Sequence, residues 1–144
     1  MKNIRNVLEK WGFPIIKDQE SHIVFRYQLN YIQVNTSETD TSRAVAVTLA
    51  NIFSADDEKE MFLGLRACNE LNCNLLHVKL YIDAEADLIL ASEFFYQSDS
   101  EVEFLLEMSL ESLIRAKKSF IDKYNELEEL GRLMNDDEEE ESQD

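Results

Sequence analysis

The chain has 144 residues, of which 44% are hydrophobic and 31% charged, and its formal net charge at pH 7 is −16. A domain of this length buries roughly 70% of the surface that its unfolded chain exposes, so it needs no disulfide or metal to hold a core. The acidic balance repels nucleic-acid phosphates and anionic lipids, which argues against DNA, RNA and membrane surfaces as partners.

An amphipathic helix is predicted at the start of the chain. Apolar residues recur at helical spacing over residues 4–11, and Gly12 followed by Pro14 ends the pattern. Trp11 is the single tryptophan. A large aromatic on an apolar stripe usually packs, so we expect Trp11 in the core or at a seam rather than at a ligand platform.

The next block predicts three β-strands, because its bulky apolar residues alternate with polar or smaller ones. The strands are predicted over residues 22–27, 31–35 and 44–50, with turns near 28–30 and 37–41. Neighbouring strands with such short connections are antiparallel, since a parallel pair needs a longer crossover. The bulkier set of each strand is expected to face the helices.

A second helix is predicted over residues 56–72. Asp56 or Asp57 caps its first turn, and Ser54 with Asp57 has the spacing of a weaker capping box. Its apolar residues recur at steps of three and four and form a stripe that is expected to face a core. The stripe consists of Met61, Phe62, Leu65, Cys68 and Leu71.

The two cysteines, Cys68 and Cys73, are five residues apart, which separates them by about 140° around a helix. They are badly placed to pair, and a reducing compartment is the simpler expectation. No stretch approaches the roughly 20 apolar residues that a membrane span requires. The sequence therefore predicts a soluble cytoplasmic protein.

A β-hairpin follows the second helix. Its strands are predicted over residues 76–82 and 88–96, with the turn at residues 83–87. The second of these strands, LILASEFFY, is apolar on both faces. This pattern predicts that both of its sides are covered.

The last helix is predicted to begin with a capping box, formed by Ser98 with Glu101 or by Ser100 with Glu103. Its apolar stripe continues for about 30 residues, which is long for a globular helix. We therefore expect its end to reach beyond the sheet, toward a second subunit or solvent. The acidic segment over residues 135–144 has too little apolar surface to bury and is predicted to be disordered.

Together these elements predict a single α+β domain over residues 1–134. The order is helix, three-strand antiparallel meander, helix, two-strand hairpin and long helix, with the helices packed on one face of a five-stranded antiparallel sheet. The opposite face mixes small, aromatic and polar groups with few charges, whereas a solvated face normally shows cleaner polar alternation, so we expect it to meet a protein partner or a second subunit. The residues expected to bind the partner are Arg26, Tyr31, Thr48, His77, Lys79 and Tyr81.

The sequence shows no signature of catalysis, of a metal centre or of a cofactor. No C-x-x-C or H-x-x-x-H spacing supports a zinc site, and no phosphate-binding glycine motif occurs. Asp83, Glu85 and Asp87 could hold a hard cation loosely. They lack the central glycine and distal glutamate of an EF-hand, so forming the turn is their simpler role.

The order of elements resembles the YbjN-like family of bacterial proteins, which are proposed to regulate sensory transduction and whose fold is similar to that of type III secretion chaperones. The resemblance covers about residues 3–124. It rests on that order, the strand pair HIVFRYQLNYIQV, the junction NELNCNLLHVKLYID with Asn72, Asn74, Lys79 and Asp83, and the terminal amphipathic helix. It implies an α+β domain that dimerises and binds protein segments without turning over a substrate.

Three functional hypotheses follow. The first is a non-enzymatic protein-binding or chaperone-like regulator, a homodimer that holds its client on the sheet face or on helical surfaces. The second is a small-molecule-sensing or enzymatic domain that uses polar groups on the open sheet face, namely Arg26, His77, Lys79 and Tyr81. The third is a mimic of nucleic acid whose acidic surface occupies a basic partner.

Overall fold

The computed structural model describes residues 1–143. The described chain forms three helices and six strands in the order α1 (Lys2–Trp11), β1 (Ile15–Asp18), β2 (His22–Tyr27), β3 (Asn30–Glu38), β4 (Arg43–Leu49), α2 (Glu58–Asn74), β5 (Lys79–Ile82), β6 (Leu88–Tyr96) and α3 (Asp99–Gln143). The strands make one antiparallel sheet with the order β1-β2-β3-β4-β6-β5. The fold is mixed α+β, as predicted, with six strands in place of five.

The additional strand is β1, which follows Pro14 and pairs with β2 at the edge of the sheet. Three of its four residues are exposed. An edge strand this short shows no alternation of buried and exposed residues, and alternation is the signal that predicted the other strands. The predicted number of strands is wrong for this reason.

Strands β2, β3 and β4 form the predicted antiparallel meander. Their bulkier residues share one core with buried residues of all three helices. Each of these strand residues is at most 1% exposed: Ile23, Phe25, Ile32, Val34, Val45, Val47 and Leu49. The alternation along the strands thus sets which face of the sheet the helices cover.

The chain crosses from β4 through α2 to the far edge of the sheet, where it forms β5, and β6 then returns between β5 and β4. Strand β5 begins at Lys79, three residues later than predicted. The residues just before it do not pair in the sheet. Leu76 is 89% exposed, and His77 has a φ of +70°, which extended strands do not adopt.

Helix α2 begins with the predicted cap. The Asp57 carboxylate accepts a hydrogen bond of 2.8 Å from the Glu60 amide, and the Glu60 carboxylate accepts one of 2.7 Å from the Asp56 amide. The predicted apolar stripe is wrong in part, because Phe62 and Leu65 are 64% and 50% exposed, whereas Cys68 and Leu71 are buried as predicted. The buried side of the helix consists of Leu63, Gly64, Ala67, Cys68 and Leu71.

Gly64 gives this orientation a steric reason. A Cβ atom at this position would lie 2.8 Å from Ile82 Cδ1 and 3.0 Å from Phe53 Cε1. These distances are shorter than ordinary van der Waals contact, so the helix approaches its neighbours most closely at its smallest residue. Phe62 and Leu65 consequently point away from the core.

Helix α3 begins at Asp99. The Glu101 carboxylate accepts hydrogen bonds from the amides of Gln97 at 2.9 Å and Ser98 at 3.4 Å, which is the acidic half of the predicted capping box. Within residues 1–143, every helix falls short of the apolar length that crossing a membrane requires.

The acidic segment continues α3 as far as residue 143 and is exposed over residues 135–142, and residue 144 lies outside the described residues. Like charges on successive turns oppose a helix, and so do carboxylates near the negative end of its dipole. Disorder of residues 135–144 in solution stays a prediction.

The turn between β2 and β3 provides a test of backbone strain. Leu29 has a φ of +65° and is 90% exposed. Leu29→Gly relieves a left-handed strain of about 1–2 kcal/mol, so we expect a free energy of unfolding equal to or above that of the parent. Leu76→Gly is the control, because Leu76 is equally exposed without a positive φ, and it should lose about 0.5–1 kcal/mol. Urea unfolding measures the free energy of unfolding of both variants. An equal loss of stability in the two variants contradicts the proposed strain at Leu29.

The two cysteines should differ in reactivity. Burial raises the pKa of Cys68 to about 11, whereas Cys73 is exposed. At pH 8, which lies well below that pKa, Cys68 stays protonated, and its thiolate fraction is roughly 100-fold below that of a thiol with the ordinary pKa of 9.0. A thiol-disulfide reagent should therefore modify one thiol quickly and the second only on unfolding. Cys73→Ser should remove the fast phase and Cys68→Ser should keep it; two fast phases in the parent contradict the assignment.

Candidate functional site

The candidate site is the face of the sheet that the helices leave uncovered, which we call the outer face. The pairing register and the alternation along the strands place on it Val24, Arg26, Tyr31, Gln33, Ala44, Ala46, Thr48, Lys79, Tyr81, Ile89, Ala91, Glu93 and Phe95. All of these residues except Ala91 are partly or fully exposed. Five of the six residues that the sequence assigns to partner binding lie here.

The register distributes those five residues across the whole width of the face. Arg26 pairs with Tyr31 on one side, whereas Thr48 pairs with Ala91, which pairs in turn with Lys79 on the other side. Strands β2 and β5 are four strand spacings apart, which separates Arg26 from Lys79 by roughly 19 Å. These polar groups flank a broad surface and do not converge on one small ligand.

His77 is the predicted residue that lies elsewhere. Its Nε2 is 3.4 Å from the hydroxyl of Ser109 on α3, and that hydroxyl also accepts a hydrogen bond of 2.9 Å from Ser92. His77 therefore lies on the helix side of the sheet. Its placement on the outer face was wrong because its positive φ interrupts the alternation before β5 begins.

A shallow groove of about 180 Å³ runs along β4 on the outer face. The small side chains of Ala44 and Ala46 line its middle, with Asn35 on the β3 side and Phe95 on the β6 side. Phe95 is 75% exposed. The sequence reasoning did not name Phe95 as a site residue, although the apolar outer set of LILASEFFY is the signal for it.

Charges on the outer face differ from those of the chain as a whole. Lys79 Nζ lies 2.5 Å from a Glu93 carboxylate oxygen, and this hydrogen bond raises the pKa of Lys79. Lys79 Nζ is also 5.9 Å from the centre of the Tyr81 ring, and Arg26 Cζ is 5.7 Å from that of Tyr31. With Lys17, which pairs with Val24, three cations and one carboxylate thus occupy this face of a protein with a net charge of −16.

A second cavity, of about 320 Å³, lies on the helix side of the sheet beside His77. Its polar lining comes from Asn74, His77, Ser112 and Arg115, and its apolar lining includes Val78. None of the other predicted partner-binding residues lines this cavity. The polar groups of the second hypothesis are therefore divided between two sides of the sheet.

The acidic turn between β5 and β6 forms as predicted. Oxygens of Asp83, Glu85 and Asp87 lie within 4.8 Å of one another. Asp83 Oδ1 accepts hydrogen bonds from the amides of Glu85 at 2.9 Å and Asp87 at 3.0 Å, and the Ser54 hydroxyl donates to Asp87. These carboxylates stabilise the turn and its contact with the segment before α2.

Solved structures with the same fold are known. An uncharacterized protein from Methanothermobacter thermautotrophicus is 17% identical with a TM-score of 0.58, over 87% of this chain and 96% of that one. YbjN from E. coli, described as a proposed transcription regulator, is 9% identical with a TM-score of 0.58, over 88% of this chain and 92% of that one. No protein-family model and no curated protein matches the chain. At these identities the likeness establishes a YbjN-like fold and nothing about activity.

Proposed function

We propose that this chain is a non-enzymatic, chaperone-like regulatory domain of the cytoplasm that binds an extended segment of a protein partner on its outer face. The observation that carries the proposal is the groove along β4 with Phe95 beside it, 75% exposed. An exposed apolar surface next to a concave one is typical of protein interaction sites. The width of the face suits a segment better than a small ligand.

The sheet edges favour binding on the face over addition of a strand. Strands β1 and β5, which form the two edges, have four residues each. Each edge also carries a lysine, Lys17 or Lys79. Short edge strands with lysines discourage pairing with another chain. An extended partner therefore gains more from side-chain contacts in the groove than from main-chain pairing.

The small-molecule hypothesis receives less support. A ligand site needs a concave pocket with a few convergent polar groups. Arg26 and Lys79 are separated by the width of four strand spacings, and His77 lies behind the sheet. The acidic-mimic hypothesis is also less favoured at this face, because the cations Arg26 and Lys79 outnumber Glu93 there.

Homodimerisation is part of the proposal, and we assign it to the outward side of α2. Met61, Phe62 and Leu65 line a broad groove of about 550 Å³ there, with Asp56 and Glu58 beside them. Apolar side chains this exposed on one helix side favour a second helix as cover. Two identical acidic rims repel one another, so the association should strengthen as salt screens them.

Site-specific crosslinking tests binding at the outer face. A photoreactive benzoylphenylalanine replaces Phe95 in one variant and Phe104 in a control, since Phe104 is 63% exposed on α3. We expect the photoreactive residue at position 95 to crosslink to a defined protein of the native lysate, and we expect the control at position 104 not to label that protein. Adding Ala46→Arg, which fills the groove, should abolish that product while unfolding by urea stays unchanged. Identical labelling at both positions, or labelling that survives Ala46→Arg, contradicts the proposal.

The solution mass tests the α2 interface. We expect light scattering after size exclusion to give a dimer whose fraction rises with ionic strength. Phe62→Ser combined with Leu65→Ser should shift the mass to the monomer, whereas Phe104→Ser, at matched exposure, should leave it unchanged. A monomer at all salt concentrations contradicts the dimer, and a dimer that survives the double substitution assigns it to another surface.

A further inference from the structure

A further cavity, of about 290 Å³, lies between the end of α1, β2 and the first half of α3. It is lined by Trp11, Phe13, Tyr27, Glu107, Leu110 and Glu111. Tyr27 follows the buried residues of β2 at the spacing of the inner face, so the cavity lies on the helix side of the sheet. It shares no residue with the outer face or with the α2 groove.

Three aromatic rings form the walls of this cavity. The ring centroids of Trp11 and Phe13 are 5.7 Å apart, and those of Phe13 and Tyr27 are 5.1 Å apart. These two pairs are inclined by 60° and 68°, whereas Phe13 also stacks on the buried Phe25 at 6.0 Å and 7°, which holds Phe13 against the core. All three side chains are only partly buried. Inclined, partly open rings around a small space are the arrangement that surrounds an organic cation.

Two carboxylates complete the lining. Glu107 and Glu111 lie one turn apart on α3 and are both exposed. In the described part of the chain no lysine or arginine lies within 4.0 Å of either, whereas Glu103, one turn earlier, is paired with Lys10 at 2.8 Å. Burial raises the pKa of Tyr27, and Glu111 and Glu107 raise it further. Their negative potential therefore reaches the aromatic wall.

We propose that this cavity, which we call the aromatic cleft, binds an organic ammonium group, of which a quaternary or methylated amine is the best fit. The ring faces and the two carboxylates both attract a positive charge, while Leu110 and the rings accept methyl groups. A metal ion would instead require several oxygen ligands. The volume lies at the lower end of small-molecule sites, which suits one head group or one side chain.

The fluorescence of Trp11 reports binding directly, because Trp11 is the single tryptophan and lines the cleft. The full chain is titrated with choline, with tetramethylammonium and with 3,3-dimethylbutan-1-ol, the neutral carbon analogue of choline. We expect a saturable change with the two cations and binding of the neutral analogue weaker by about 10-fold or more. Choline methyl resonances should broaden over the same range. An equal response to the neutral analogue overturns the proposal, as does the absence of both signals.

Substitution of the carboxylates tests the site itself. Glu107→Gln with Glu111→Gln should weaken choline binding by about 10-fold and flatten its dependence on salt. Asp136→Asn with Asp137→Asn is the control, because it removes two charges from the far end of the same helix. Unchanged binding in the first variant, or an equal loss in both, overturns the assignment.

Titration with peptides distinguishes the two possible sources of the ammonium group, a protein side chain and a free metabolite. A short peptide with trimethyllysine is compared with choline and with the same peptide carrying norleucine. Tighter binding of the trimethyllysine peptide by about 10-fold indicates a protein side chain, and equal binding indicates a free metabolite. Ala46→Arg should leave both titrations unchanged, so failure at the outer face and failure at the aromatic cleft are distinguishable.

Discussion

Burial on only one side of the sheet is the constraint on which the rest of the structure depends. Helix α3 contacts α1, α2, β4 and β6, so it joins every layer of the core. Its central buried stripe is at most 2% exposed and consists of Val102, Leu106, Leu110, Leu113, Ala116 and Phe120. Since all three helices contribute to that single core, the other face of the sheet depends on solvent or a partner for cover.

A polar contact inside this core fixes where α3 lies along β6. Ser92 and Ser109 are both fully buried, and their hydroxyls form a hydrogen bond of 2.9 Å. A shift of the helix along the strand would leave a buried hydroxyl unpaired, which costs about 1–3 kcal/mol. Apolar contacts tolerate such a shift more readily than this bond does. The same helix position brings Glu107 and Glu111 to the aromatic cleft.

The sequence predicts those parts of the fold that repeat a local signal. Alternation identifies β2, β3, β4 and most of β5, a continuous apolar run after a turn identifies β6, and the carboxylates of Asp57 and Glu101 mark two helix starts. The orientation of α2 depends on close packing at Gly64, which no periodicity shows. The aromatic cleft could not be predicted from the sequence, because residues 11–27 and 107–111 meet only in the tertiary fold. On the outer face, alternation located five of six residues and failed at His77, where the backbone changes direction.

The placement of β6 between β4 and β5 has a consequence for synthesis on the ribosome. Strands β1 to β4 can assemble as soon as they emerge, but β6, the second neighbour of β4, follows only after α2 and β5. At 5–20 residues per second, roughly 2–9 s pass between the ends of β4 and β6. During that interval the nascent chain presents the unpaired hydrogen-bonding groups of β4, a template for aggregation. The seven residue pairs between β4 and β6 thus form late and between distant parts of the chain. Until they form, β4 remains open to pairing with another chain.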